Sequence, residues 1–286
     1  MNIICPICSN NNFKKLLSIY YPDRFEIAVG IAANDYERFW YECLRCGVAI
    51  NYHKKENLQK LESLSENYYE VDFGKINLFD RYNSIMKLPD HRSDNKGRVS
   101  RIKNFINNNR SFLNYNFNGD GVNKILDIGA GLGIFLSEFL DNKWEGYAIE
   151  PDPKALEHLY FLRSKIKNLT IYEGIYSGQN IYKDYNLITL NKVVEHVANP
   201  VYLLTSLHSA LNKNSGLIYI EVPDKLSIFY KKSDDNILGS LHYNLYDPVS
   251  LSELFKISGF EPLLVGRVSE PSGKITTYGF AITLNK

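Results

Sequence analysis

Long apolar runs, clustered basic residues and late cysteines are all missing from this 286-residue chain. No stretch of 18 or more apolar residues occurs, which excludes a helix able to cross a bilayer. Lys and Arg number 33 against 32 Asp and Glu, a net charge of +1 with no long basic stripe. A nucleic-acid footprint ordinarily needs such a stripe, so nucleic acid is not the expected partner. The opening MNIICPICSNNNFKK has no basic head, apolar centre or small-residue cleavage site, so no secretion signal is expected and a cytoplasmic location is. What remains, 44% apolar and 23% charged, is ordinary globular composition, enough for one large domain or for one domain plus an appendage.

The four cysteines fall as CPIC (Cys5, Cys8) and CLRC (Cys43, Cys46). Two residues between cysteines let a tight turn aim both sulfurs at one tetrahedral ion, and Pro6 and Gly47 suit such turns. Two such pairs predict a closed four-thiolate Zn2+ site, structural because no coordination position stays open for chemistry. A disulfide pair fits a cytoplasmic chain less well. The intervening FKKLLSIYYPDRFEIAV and DYERFWYE could supply strands of a small ribbon.

From Lys124 the pattern alternates. KILDIG, EGYAIE, LTIYEG, LITLNK and GLIYIEV read as strands; Gly133 to Asn142, Pro153 to Lys165, Pro200 to Leu211 and Pro248 to Ser258 read as helices. That alternation predicts an α/β fold with a doubly wound parallel sheet. The ending differs: PLLVGRV and ITTYGFAITLN, joined by SEPSGK, predict a terminal antiparallel hairpin. Before this region, Asp94 to Asn109 carries Val99, Ile102, Phe105 and Ile106 on one helical stripe. The expected division is a zinc-ribbon module over 1–52, a helical connector or lid over 53–118 and the main domain over 119–286. The Tyr-rich stretch Tyr68 to Tyr82 is expected to pack against the ribbon, with a lid as the alternative.

The stretch KILDIGAGLGIFL ends a strand on an acid, then places Gly129, Gly131 and Gly133 before a helix. Glycines there allow a tight turn and close approach of a ligand to the backbone, and Glu150 at the end of the next strand can bind ribose hydroxyls. The spacing is G-x-G-x-G rather than G-x-G-x-x-G, and Asp127 would be unwelcome beside a pyrophosphate but suits a cationic ammonium. With AIEPD, LITLNKVVEHVANP, LIYIEVPD and LFKISGFEP in order, the chain resembles the class I S-adenosylmethionine-dependent methyltransferases, whose sheet is Rossmann-like. That resemblance implies cofactor contacts from Asp127, Gly129, Ala130, Gly131, Gly133, Glu150, Pro151 and Asn191, with Gly174 and Ile175 at the adenine rim.

The acceptor is expected at NKVVEHV, on the carboxyl edge of the sheet. His196 is the expected general base and Glu195 its partner. His242, with Tyr243 and Tyr246 in LHYNLYDP, resembles a position where related enzymes place a further His. Glu221 and Asp224 lie at the same edge as weaker candidates. In ubiquinone-pathway and small-RNA methyltransferases the matching run reads E-x-x-E-H and binds a divalent ion. Here Lys192 replaces the first acid, so a catalytic metal is not expected and an anionic acceptor is. A CxxC…CxxC module ahead of such a domain resembles bacterial sugar and surface-polysaccharide methyltransferases. Deoxysugar C-methyltransferases of that kind carry a further C-terminal domain, which favours O-methylation of a small sugar, sugar-nucleotide or phosphorylated capsule precursor here. N-methylation of a similar precursor and nucleic-acid methylation are the alternatives. The ribbon could also serve a homodimer.

Overall fold

The computed structural model describes residues 3–62, 64, 71, 77–113, 122–178 and 184–283. Two sheets organise them. The larger has seven strands: β4 (Asn123–Ile128), β5 (Trp144–Glu150), β6 (Leu169–Glu173), β7 (Leu187–Asn191), β8 (Leu217–Pro223), β10 (Phe260–Ser269) and β11 (Ile275–Thr283). Their order is β10-β11-β8-β7-β4-β5-β6. The strands β6, β5, β4, β7 and β8 run parallel, while β11 lies antiparallel to both β8 and β10. The expected α/β fold with a terminal hairpin is therefore present. Direction along the sheet reverses at β4, with β5 on one side and β7 on the other, which opens a crevice at the carboxyl ends of these strands.

The sequence explains the parallel core. β7 and β8, LITLN and LIYIEVP, are almost wholly buried and rich in Leu and Ile, as strands covered on both faces must be. Three covering helices begin with Asp-Pro or Asn-Pro. Asp152, Asn199 and Asp247 cap Pro153–Arg163, Pro200–Leu207 and Pro248–Ile257, accepting from backbone N–H groups that the first turn leaves unpaired. On one face Leu126, Ile188, Leu204 and Leu254 form a continuous apolar layer; on the other, Ile102, Phe139, Leu159 and Phe280 do. The predicted helix after Asp94 spans Asp94–Asn108 and buries Val99, Ile102 and Ile106 along its stripe.

The second sheet is antiparallel: β1 (Phe13–Ile19), β2 (Arg38–Cys43), β3 (Ala49–Tyr52) and β9 (Asn244–Leu245), in that order. Its last strand comes from the main domain, between β8 and the helix Pro248–Ile257. One expectation needs correcting. RFEIA, grouped with possible strands, forms the short helix Arg24–Ala28. Asp23 accepts from the N–H groups of Phe25 and Glu26, and Glu26 returns a bond to the N–H of Asp23, a reciprocal cap that outweighs the β propensity of Phe and Ile. The Tyr-rich stretch lies outside the described residues except at Val71 and 77–82. Val71 packs against the apolar cluster that includes Ile19 and Trp40 of the second sheet, while at the far end Phe79 and Tyr82 meet His158 of the helix Pro153–Arg163 at ring separations of 4.8 and 4.5 Å. No described helix is long and apolar enough to cross a membrane.

Candidate active site

At the end of β4 the backbone turns on three left-handed glycines, Gly129, Gly131 and Gly133, with φ of 68°, 54° and 71°. A Cβ on Gly129 would stand 2.6 Å from Val193 Cγ2, so this position needs glycine for space as well as for φ. Asp127 is buried beneath the turn, where its Oδ1 accepts from Thr189 Oγ1 at 2.7 Å and Asn191 Nδ2 at 2.9 Å. Burial pushes its carboxyl up to about 7, against the pull of those two donors. Asn191 Oδ1 is buried beside it with no hydrogen-bond partner. Glu150 accepts from Gly131 N at 2.7 Å and Asp152 N at 2.9 Å, and burial also lifts it to about 7. Each of its oxygens keeps a second lone-pair direction. Ala130 is buried in the turn, Pro151 follows Glu150 and leads into the helix cap, and Gly174 donates its N–H to Glu150 O at 2.9 Å with φ of 100°. Ile175 is exposed at the rim.

The acceptor-side candidates converge beyond β7. Lys192 sits at the end of the strand with φ of 60°, a left-handed conformation unusual for a residue carrying a Cβ. Glu195 is fully buried, both carboxylate oxygens lack partners, and burial raises its carboxyl to about 8. His196 and His242 meet edge to face, ring centres 4.6 Å apart. Each directs Nδ1 at a backbone carbonyl, Leu241 O at 2.9 Å and Ile237 O at 2.8 Å respectively. A carbonyl only accepts, so both rings carry the proton on Nδ1 and keep Nε2 as a lone pair. Burial lowers His196 to about 4 and His242 well below its ordinary value. Both imidazoles are thus neutral at pH 7, and His196 is a weaker base than its sequence position suggested.

A methyltransferase-domain family model matches residues 99–265, more than half of the chain. The chain belongs to that family. Its fold is shared with magnesium protoporphyrin IX methyltransferase from Synechocystis PCC 6803 with bound S-adenosylhomocysteine, at TM-score 0.57 and 13% identity over 78% of this chain and 100% of that one. It is shared also with the Burkholderia thailandensis 1,6-didemethyltoxoflavin-N1-methyltransferase holding S-adenosylhomocysteine, at TM-score 0.55 and 15% identity over 85% and 99%. No curated protein matches the sequence. The chain is an S-adenosylmethionine-dependent methyltransferase. The turn fits that cofactor: glycines admit it to the backbone, and the unpaired Asn191 Oδ1 beside Asp127 is a ready pair of acceptors for its ammonium.

Sequence reasoning missed the groups that surround Glu221. This buried carboxylate is met by Arg98 Nη2 at 2.6 Å, Arg101 Nη1 at 2.9 Å and Lys192 Nζ at 3.3 Å, which hold its acid well below the carboxylate range. Arg101 also pairs with Glu270 at 3.2 Å, and Tyr219 donates to Glu221 at 2.8 Å. The signal was present as the i, i+3 pair Arg98 and Arg101, next to the buried stripe of its helix. Lys192, expected to help bind an anionic acceptor, meets Glu221 and donates to Thr276 Oγ1 at 3.0 Å. Asp224 is tied to Arg267, Thr277 and the N–H of Leu226, an internal structural knot. Tyr246 is buried in the same apolar cluster as the cysteines, and the backbone of Tyr243 joins Glu195 to the second sheet.

Cys5, Cys8, Cys43 and Cys46 are all buried, unbridged, and place their sulfurs within 4.8 Å of one another. Cys5–Cys46 and Cys8–Cys43 separate by 3.5 Å. Four sulfurs about 2.3 Å from a tetrahedral Zn2+ stand about 3.8 Å apart, so the set fits that ion. Both knuckles close alike: Ser9 N donates to Cys5 O and Gly47 N to Cys43 O, with left-handed Ser9 and Gly47. Glu195, His196 and His242 form a second group whose ligand atoms lie within 4.8 Å. Pairing with Glu221 offsets the Lys192 charge and lessens its repulsion of an ion at this group.

Proposed function

We propose that the enzyme transfers the methyl group to a hydroxyl of a small, anionic sugar, sugar nucleotide or phosphorylated precursor, such as a bacterial capsule precursor. Asp127 and Asn191 take the cofactor ammonium, Glu150 the ribose hydroxyls, and the rim at Gly174 and Ile175 the adenine. The bound cofactor supplies an electrophilic methyl on a sulfonium. With the acceptor hydroxyl held in line with that methyl, His196 Nε2 would take the hydroxyl proton as the oxygen is methylated. The observation that carries this reading is the pair of neutral imidazoles with Nε2 lone pairs beside the unpartnered Glu195. Arg98, Arg101 and Lys192 outnumber Glu221 and Glu270 at the edge of this site, and that excess supports an anionic acceptor. The four cysteines hold a structural Zn2+, with 1–52 as the zinc module, 53–118 as connector and 119–286 as catalytic domain. Measured release of S-adenosylhomocysteine across a panel of sugar phosphates, nucleotide sugars and amino sugars tests it; turnover restricted to amines selects N-methylation, and turnover only on RNA overturns the proposal.

A second reading follows from Glu195, His196 and His242, whose neutral imidazoles and orphaned carboxyl match a two-His, one-carboxylate ligand set. A divalent ion there would polarise the acceptor hydroxyl. Turnover abolished by EDTA and restored by one metal, with Cys-bound zinc retained, selects this reading over the metal-free one.

A further inference from the structure

We infer that the N-terminal module is a wall of the acceptor site, with Asn51 and Arg38 acting as positioning residues for His242 and, through Leu241, for His196. This rests on the reading of those two imidazoles as acceptor-facing groups. The segment 236–243 that carries His242 lies against the second sheet and is fastened to it by side chains of the module. Asn51 Nδ2 donates to His242 O at 2.8 Å and Gly239 O at 3.1 Å, and its backbone N–H donates to Tyr243 O at 2.8 Å. Arg38 Nη1 donates to Leu238 O at 2.7 Å and to Asn51 Oδ1 at 3.1 Å. Asp23 accepts from both the N–H and the Oγ of Ser240.

These bonds are out of water: Arg38 is 1% and Asn51 5% exposed. The fastening continues inward on the other side of the same segment. Tyr243 N donates to Glu195 O at 2.7 Å, Asn244 Nδ2 to Val197 O at 3.2 Å, and Leu241 O receives His196 Nδ1. One short stretch of backbone is thus held between the module and the Glu195–His196 turn, and it supplies the carbonyls that fix both tautomers. The crevice of β4 and β5 takes no part in this belt. Loosening the belt therefore disturbs the acceptor groups and spares the cofactor.

The test is histidine tautomer state, read by long-range 1H–15N NMR on the full zinc-loaded chain, together with calorimetry of S-adenosylhomocysteine. Asn51→Asp keeps the size of the side chain and its bond from Arg38, but sets an oxygen in place of the amide donor facing two carbonyls. The expected result is a single Nδ1–H pattern at His196 and His242 in the wild type and mixed tautomers at His242 in the variant. Cofactor-product affinity stays within twofold, and His208, bonded to Ser258 O, stays unchanged. Ser240→Ala removes one bond to Asp23 and gives the same change at smaller amplitude should Asn51→Asp not fold. Unaltered tautomers in a folded variant overturn the inference, and so does an equal disturbance at His208 with lost affinity, the mark of general destabilisation. A wrong assignment of His196 as base shows separately, as normal turnover in His196→Ala.

Discussion

Replacing Glu221 by glutamine keeps the shape of a side chain and removes a charge that three cations share. Arg98, Arg101 and Lys192 stand 2.6, 2.9 and 3.3 Å from its oxygens, and the carboxylate is fully buried. Glutamine turns one acceptor oxygen into an NH2 that faces guanidinium donors. Breaking a buried pair from one side costs about 3–5 kcal/mol, because the remaining charges stay desolvated. For a domain of this size that corresponds to a melting temperature lower by about 6–20 °C. Urea denaturation at pH 7.5 reads the loss directly. Burial raises the acid's pKa, but the three cations win and depress it below its unfolded value of about 4.3. The contribution is therefore full above pH 4.3 and fades as pH falls below it, so wild type and variant differ equally from pH 8 to 5.5 and converge in stronger acid. A loss under about 1 kcal/mol would refute the reasoning and equate the network with a screened surface pair.

Asp127→Ala removes a charged partner of the cofactor ammonium and should weaken S-adenosylhomocysteine by about 10- to 150-fold in calorimetry, the equivalent of about 1.5–3 kcal/mol. Burial holds Asp127 neutral up to about pH 7 without ligand. Its raised value stabilises the empty protein below the unfolded pKa of about 3.9, and that contribution is lost as pH rises to about 7, so affinity should climb between pH 5.5 and 7.5 and then level off. His196→Ala should cut turnover by about 10²- to 10⁴-fold with S-adenosylhomocysteine affinity preserved; equal losses in both would remove it as proton acceptor. Elemental analysis should return one zinc per chain, and chelation should lower the melting temperature; a stable zinc-free protein would sink the four-thiolate site.

The fold was legible because local rules and global topology agree. A buried strand carrying Asp127 near its end, a glycine turn, and Asp-Pro or Asn-Pro caps after β5, β7 and β9 each specify one step of an alternating α/β chain. The sulfur site was legible for the same reason, since ligand spacing is a local property. What sequence could not show was partnership across distance. Asn51 meets Gly239 and His242, and Arg98 meets Glu221, over separations of 188, 191 and 123 residues. The pairing of Lys192 with Glu221 was not legible either, because Glu221 lies on the neighbouring strand. His196 was read as a base near neutrality because desolvation, which lowers it to about 4, depends on walls contributed by other segments.

The small acceptor proposed above agrees with how these charges are housed. A polymer of phosphates is bound by exposed Lys and Arg spread along a surface, each releasing counterions on contact. Here Arg98 and Arg101 are 13% and 15% exposed, Lys192 is 32% exposed, and all three already engage Glu221. These three groups offer a local excess of positive potential at one point and do not themselves form a rail along which a strand could lie. A single carboxylate or phosphate near Lys192 meets that potential without needing more. The belt 236–243 adds a second restriction, since it holds His196 through Leu241 O and is fixed both to the second sheet and to the Glu195–His196 turn. On the proposed reading, that fixed backbone beside His196 favours a small precursor over a helical duplex. Binding measured against salt decides the matter: one phosphate contact gives a slope of about −1 in log affinity against log salt, whereas a polymer rail gives a slope several times steeper.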